Sequence, residues 1–456
     1  MFKRSVVFVG AALALGVSVI TVPSVGAEPV PPRTPLCVAV PGGAPGDAAV
    51  INITNTDATG PGYGALRASD ATPIPLRPAS VQYSSVNFAP GEANPNLAFV
   101  PIGTDGRVCY DSDGGSADVI LDLSAIIPAA NLIALDPLRL VDTRERGRRV
   151  ALRTPLCVNV SEFASSGDVA VVNITNTDAT GDGYGALRAS DATPIPSRPA
   201  AEQYSSVNYA SGRTDPNLAL VTAGPSGGFC YDSDGGAAHV ILDLVAVVPA
   251  ANIVAVDPER LRDTRSSGRR VSARSPLCVA VPGGTPGAAA VINITNTDAT
   301  GPGYGALRAS QAPSVPSRPA SGQFSSVNFA PGATNPNLAV VTIGTDGRVC
   351  YDSDGGATHV ILDLVAIIPA DKIAAIEPDR LTDTRESSTP APTPAPTPTP
   401  TTTPTAGNPG DTKNCSDFAT YQEAKAWFDT YFPQFGDVAR LDRDGNGFPC
   451  ESLPGF

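Results

Sequence analysis

One stretch of sequence occurs three times. Asn52-Ile-Thr-Asn-Thr-Asp-Ala-Thr-Gly returns at Asn173 and Asn293, and Gly64-Ala-Leu-Arg-Ala-Ser at Gly185 and Gly305. Cys109-Tyr-Asp-Ser-Asp-Gly-Gly returns at Cys230 and Cys350. Arg139-Leu-Val-Asp-Thr-Arg returns, with one change, at Arg260 and Arg380. The spacing is 120 or 121 residues. That is too long for a solenoid unit and suits a tandem of whole domains. The expected organisation is a leader over 1–27, repeat domains over 28–145, 146–266 and 267–386, a linker over 387–412 and a small domain over 413–456.

Each copy reads as β. Ala49, Ile51 and Ile53 alternate with Val50, Asn52 and Thr54, a period of two. Further strands are expected in the first copy at 36–40, 63–69, 82–88, 96–102, 107–111 and 118–127. The last is nearly all apolar, so it is expected to be central and buried on both faces. The chain holds 44 Gly and 46 Pro among 456 residues, close to a fifth. Apart from a proline-rich stretch near the C-terminus, these fall between the strands as turn markers. The fold expected is mainly β: three tandem β-sandwich-like domains, a disordered Pro/Thr-rich linker and a small α-containing module.

The eight cysteines fit this organisation. Each copy holds one pair, Cys37 with Cys109, Cys157 with Cys230 and Cys278 with Cys350. The last two, Cys415 and Cys450, fall together in the tail. Pairing within each unit is the simplest scheme that preserves the repetition. Lys3 and Arg4 precede an apolar stretch that ends in Val25-Gly26-Ala27, the pattern of a cleaved secretory signal. A secreted, possible wall-associated location is therefore expected, with no membrane segment after cleavage, and even cysteines there read as disulfides. The net charge of −13 argues against nucleic acid, which needs clustered Lys and Arg.

Residues 389–404 contain only Thr, Pro and Ala, a composition that favours extended polyproline II. Beyond this linker, Ser416 or Asp417 can cap a helix that places Tyr421, Ala424, Phe428 and Tyr431 on one face. Asp442-Arg-Asp444-Gly-Asn446-Gly447-Phe448-Pro-Cys450-Glu451 follows. Asp442, Asp444 and Asn446 put oxygens at alternate positions, as a calcium loop requires. The Phe448 carbonyl and the Glu451 carboxylate can add to the six to eight oxygens that Ca²⁺ takes. Glu451 stands at loop position 10 rather than the EF-hand's 12, and no exit helix follows.

Two resemblances are carried by these residues. Cys415-Ser-Asp-Phe, the helix and Leu441-Asp-x-Asp-x-Asn-Gly-x-x-Cys-Glu resemble the excalibur domain, an extracellular calcium-binding module with a Cys pair. The resemblance implies Ca²⁺ held by Asp442, Asp444, Asn446, Phe448 and Glu451. The family usually has Asp where Asn446 stands, which implies one charge less and weaker binding. The Asn-Ile-Thr, Ser-Ser-Val-Asn-Phe-Ala-Pro-Gly, Pro-Asn-Leu-Ala and Arg-Leu-x-Asp-Thr-Arg motifs look like a β-rich module of secreted actinobacterial proteins. That resemblance implies no settled activity.

Other sites weigh less. Asp111-Ser-Asp113-Gly-Gly reads as a hairpin turn rather than a second calcium site. His239 and His359 stand where the first copy has Asp118, an exchange that a catalytic or zinc-binding residue would not be expected to tolerate. Asn52-Ile-Thr matches a glycosylation acceptor but sits in an expected buried strand. Arg144, Arg265 and Arg385 are expected to make structural ion pairs. No nucleophile elbow, zinc helix or phosphate loop occurs. The function expected is non-catalytic: a secreted or wall-associated, monomeric calcium-binding protein whose array meets cell-wall polymer or another glycan. A pure surface spacer is the alternative, and an extracellular hydrolase a more distant one.

Overall fold

A computed structural model of the chain describes residues 29–386, 408–445 and 448–454. The expected signal peptide and nearly all of the Pro/Thr-rich linker lie outside these residues. Two compact units are present, one ending at Ser388 and one starting at Thr389.

The first copy supplies eight strands: β1 (Leu36–Ala39), β2 (Ala48–Thr56), β3 (Gly62–Ala68), β4 (Val86–Phe88), β5 (Asn94–Pro101), β6 (Arg107–Gly114), β7 (Asp118–Ile127) and β8 (Ile133–Asp142). The second runs from β9 (Leu156–Asn159) through β10 (Val169–Thr177), β11 (Gly183–Ala189), β12 (Val207–Tyr209), β13 (Thr214–Thr222), β14 (Gly228–Gly235) and β15 (His239–Val248) to β16 (Val254–Asp263). The third runs from β17 (Leu277–Ala280) through β18 (Ala289–Thr297), β19 (Gly303–Ala309), β20 (Val327–Phe329), β21 (Asn335–Thr342), β22 (Arg348–Gly355) and β23 (His359–Ile368) to β24 (Ala374–Asp383). The strand expected at 82–88 is shorter, Val86–Phe88 only, and two 3₁₀ turns, Ile74–Leu76 and Ala79–Val81, precede it. The prolines at 73, 75 and 78 keep these turns out of a ladder, since each removes a donor that a ladder would need.

The expectation of three tandem β-sandwich domains is overturned. The twenty-four strands form six four-stranded antiparallel sheets in a single body, arranged in the manner of a six-bladed propeller. Four strands of each copy make one sheet, as in the order β1-β6-β3-β4. Three strands make a second sheet that is completed by a strand from elsewhere. β8 leaves the first copy and pairs with β15 of the second, in the order β13-β10-β15-β8. β16 likewise pairs with β23 of the third copy. β24 then returns to pair with β7 of the first, in the order β24-β7-β2-β5. The exchange is cyclic, and the body closes on itself.

Alternation explains the layering. On β2, Ala49, Ile51 and Ile53 pack within the first copy with β6 and β7 residues such as Tyr110 and Leu121. Val50 points the other way, into a cluster common to all three copies that holds Val50, Val171 and Val291 beside Leu97, Leu218 and Leu338. Strand β7 is buried along its whole length, as its apolar run requires.

Polar groups at the shared centre repeat the cycle. Asn96 Nδ2 donates to Asn173 Oδ1 at 2.9 Å, Asn217 Nδ2 to Asn293 Oδ1 at 3.0 Å, and Asn337 Nδ2 to Asn52 Oδ1 at 2.8 Å. Asn52 is therefore a buried joint between copies rather than a glycan acceptor, being 4% exposed. Each borrowed strand also brings an arginine to a buried carboxylate. Arg139 Nε meets Asp243 and Arg380 Nε meets Asp122, both at 2.5 Å, and Arg260 meets Asp363.

Burial pushes the Asp122 and Asp363 carboxyls up to about 6, against the pull of Arg380 and Arg260. At Asp142 and Asp383 burial also opposes ionisation, but Arg144 and Arg385 outweigh it and hold both below the usual carboxylate range. A raised carboxyl binds more protons folded than unfolded. Its contribution is complete below the unfolded value of about 4 and is lost as pH climbs through its folded value. A depressed carboxyl contributes above the unfolded value and loses that contribution as pH falls through its own lower one. The melting temperature of the body is therefore expected to rise as pH falls from 7 to about 5, then to turn down below about 4. Circular-dichroism melts across this range check it, and a steady fall from pH 7 contradicts it.

Candidate functional site

The second unit holds the calcium-loop residues. Its helix α1 spans Tyr421–Phe435. The cap is Thr420, whose Oγ1 accepts from the Glu423 N–H at 3.3 Å, rather than Ser416 or Asp417. Those two residues lie in a 3₁₀ turn, Cys415–Asp417, in which the Asn414 N–H donates to Asp417 Oδ2 at 2.7 Å. Ala424 and Phe428 are buried against Ala439, Leu441 and Cys450, with Phe418, Trp427 and Leu453 around them. Tyr431 packs on Trp427 with ring centroids 4.8 Å apart. Beneath this small core Cys415 and Cys450 are joined.

The loop leaves this core at Leu441. Asp437 fixes the departure: its carboxylate accepts from the Leu441 N–H at 2.8 Å and the Asp442 N–H at 2.9 Å. The Asp442 carboxylate accepts from the Gly445 N–H at 3.0 Å, which curls the chain as a cation-binding turn must curl. On the far side the Cys450 N–H donates to the Leu441 carbonyl at 2.9 Å. Both arms of the loop are thus fastened together beside the disulfide. Asp442 is half-buried, while Asp444, Phe448 and Glu451 are exposed. Asn446 and Gly447 lie outside the described residues. Among the described residues, no three acidic, His or Cys side chains converge on one metal position. The donor set is nonetheless all oxygen, as a hard divalent cation requires. Asp437 was absent from the sequence reading.

Residues 412–451 match the Excalibur calcium-binding domain. The match covers this tail and none of the β body. No curated protein matches the chain. Among solved structures the chain is similar to the STIV MCP, at 8% identity and a TM-score of 0.22, over 52% of this chain and 96% of that one. It is also similar to a structure of Sulfolobus Turreted Icosahedral Virus, at 9% identity and a TM-score of 0.18, over 75% and 85%. At such scores the likeness carries no argument about this fold.

The motifs of the body have structural work. The Arg67 guanidinium holds Asp111 through bonds of 2.7 and 3.2 Å, and the Ile74 N–H donates to the same carboxylate at 2.8 Å. Asp232 and Asp352 are held alike by Arg188 and Arg308. Asp113 pairs with Arg33 at 2.9 Å. These carboxylates already have cations, and the segment is strand through Gly114 rather than a turn. Arg144, Arg265 and Arg385 make the expected ion pairs, with Asp142, Asp263 and Asp383. The exchange of His for Asp118 also has a reason. Thr384 donates to Asp118 at 2.7 Å across the closing seam, while Thr143 lies 3.2 Å from the His239 ring and Thr264 3.1 Å from the His359 ring. Either side chain can bond the threonine hydroxyl.

All four expected cysteine pairs are disulfides: Cys37–Cys109, Cys157–Cys230, Cys278–Cys350 and Cys415–Cys450. They point to an oxidising, extracellular compartment. No helix among the described residues is long and apolar enough to cross a membrane.

Proposed function

We propose that the chain is an extracellular, non-catalytic calcium-binding protein, monomeric, whose closed β body attaches to a surface glycan. The observation that carries the calcium part is the match of residues 412–451 to a calcium-binding domain, at a loop whose two arms are pinned together. Asp442, Asp444, Asn446 and Glu451 would supply side-chain oxygens and Phe448 its carbonyl. Calcium there would join the loop's carboxylates beside the disulfide-closed core. Closure of the body within one chain supports a monomer, since its exchanged strands find their partners internally. It also removes one attraction of the triplication. The copies are not tethered independently, so they do not gain effective concentration as separate sites would.

Titrating calcium into the full chain in a calorimeter tests the reading. One site is expected, and Asp442→Ala should weaken it at least tenfold, since it removes a ligand and the carboxylate that accepts from Gly445. No heat at millimolar calcium would refute the site. Retention of the full chain on isolated cell wall tests the glycan part.

A further inference from the structure

Where the third copy meets the first, the body holds a crevice of about 1050 Å³. It is at the top of the size range typical of small-ligand sites, roughly 300–1,000 Å³. Three equivalent turns, one from each copy, that link β4 to β5, β12 to β13 and β20 to β21 contribute to its wall, with Glu92, Arg213 and Ala333 at matching positions. Glu92 and Arg213 bridge the first two copies at 3.1 Å. Ala333 offers neither charge nor length. The three turns therefore differ at this position, and Glu92–Arg213 is the one ion pair among the described residues that joins two of them.

The chemistry of the wall selects a ligand class. Its three arginines are already engaged: Arg213 with Glu92 and Asp215, Arg380 with Asp122 and Asp383, Arg385 with Asp383. Its six carboxylates, which add Asp182 and Glu386, outnumber them. Each guanidinium already faces a carboxylate, and an anion would enter a negative field. The rest of the wall is amide, hydroxyl and ring. Asn94, Asn335 and Thr334 supply neutral polar groups, which also bond within the chain, and Tyr304, half exposed, supplies a ring that packs beside Ala306, Val315 and Phe324. Sugar rings match such a wall, with C–H faces for aromatic rings and hydroxyls for amides.

We propose that this crevice binds a short, hydroxyl-rich oligosaccharide without acidic groups. The inference rests on the glycan reading above and reduces an array of three sites to one, placed where the repeats differ. Calorimetry of the full chain with two neutral oligosaccharides, cellotetraose and fully N-acetylated chitotetraose, and with tetragalacturonate tests it. The first two are expected to bind at least tenfold more tightly than the acidic one. Ala333→Arg imports the residue that the second copy carries in the same turn, and Ala333→Glu the residue of the first. Either should weaken binding tenfold or more with an unchanged melting temperature. Equal or tighter binding of tetragalacturonate, or full binding by both variants, overturns the proposal. Wall retention scored in parallel separates it from the broader reading. Retention that survives both variants removes the crevice and leaves the glycan reading standing. Oligosaccharide binding without wall retention does the reverse, and loss of both in the wild type refutes both.

Discussion

A chain ended at Ile373 is expected to lose the closed body and to associate. That truncation removes β24, and β7 then loses its ladder partner along Ile120–Ile126. Asp122, 2% exposed, loses Arg380. Stripping the cation from a buried carboxylate costs about 3–5 kcal/mol by itself. Part of this is recovered by protonation, because burial already raises that carboxyl. The lost ladder, and the apolar contact of Ala375 with the shared centre, add to it. An open edge also invites pairing with another chain. Size-exclusion chromatography with light scattering, alongside thermal melts, checks this against a control chain ended at Glu386, which keeps β24. A truncated chain that stays monomeric and melts with the control would show that closure contributes little.

Cys450→Ser is the second large effect. The Cys415–Cys450 bond closes a loop of 35 residues in sequence separation. Such a closure is worth about 4 kcal/mol on the chain-entropy model. A unit of about 40 residues has little core to compensate, because domains that small usually need a disulfide or a metal. Here the core is essentially Ala424, Phe428, Ala439, Leu441 and the disulfide itself. The variant is expected to lose helix α1 and its calcium heat together, while the melt of the β body stays put. Retained calcium affinity would show that the loop holds its shape without the bond.

The strands that alternate or run apolar between turn markers could be read from their own residues. β8 could not. It contains Pro137, Asp136 and Arg139, and reads locally as a polar connection. Its register with β15 shifts around that proline, which only an edge strand tolerates. Which sheet it joins is decided by residues a whole copy away. Two signals were nonetheless present. Asp122 stands alone in Val119-Ile-Leu-Asp-Leu, and a carboxylate buried in a central strand needs a cation from somewhere else. Arg380 is that cation. Asn96, opposite Ile53, likewise occupies an inward position where a self-contained sandwich would place an aliphatic residue. The calcium loop was legible because its candidate ligands lie within ten residues. Its anchor, Asp437, was not, because a carboxylate bonded to backbone amides leaves no pattern of residue types.

The edge strand β24 has a mechanical meaning as well. Its last residues run directly toward the Pro/Thr-rich segment, so any tug on the tail is felt first at Asp383 and Arg380. At the other end of the body, Val30 is bridged to Ala117 and β1 is paired to β6, again in the first copy. Between the two ends the chain thus crosses the seam of β24 with β7, while Arg380 and Glu377 also tie β24 to Gln323 and Arg318 of the third copy. The seam at β24 joins the end of the third copy to the first, and its release would part the wall that Arg380, Asp383 and Arg385 give to the crevice.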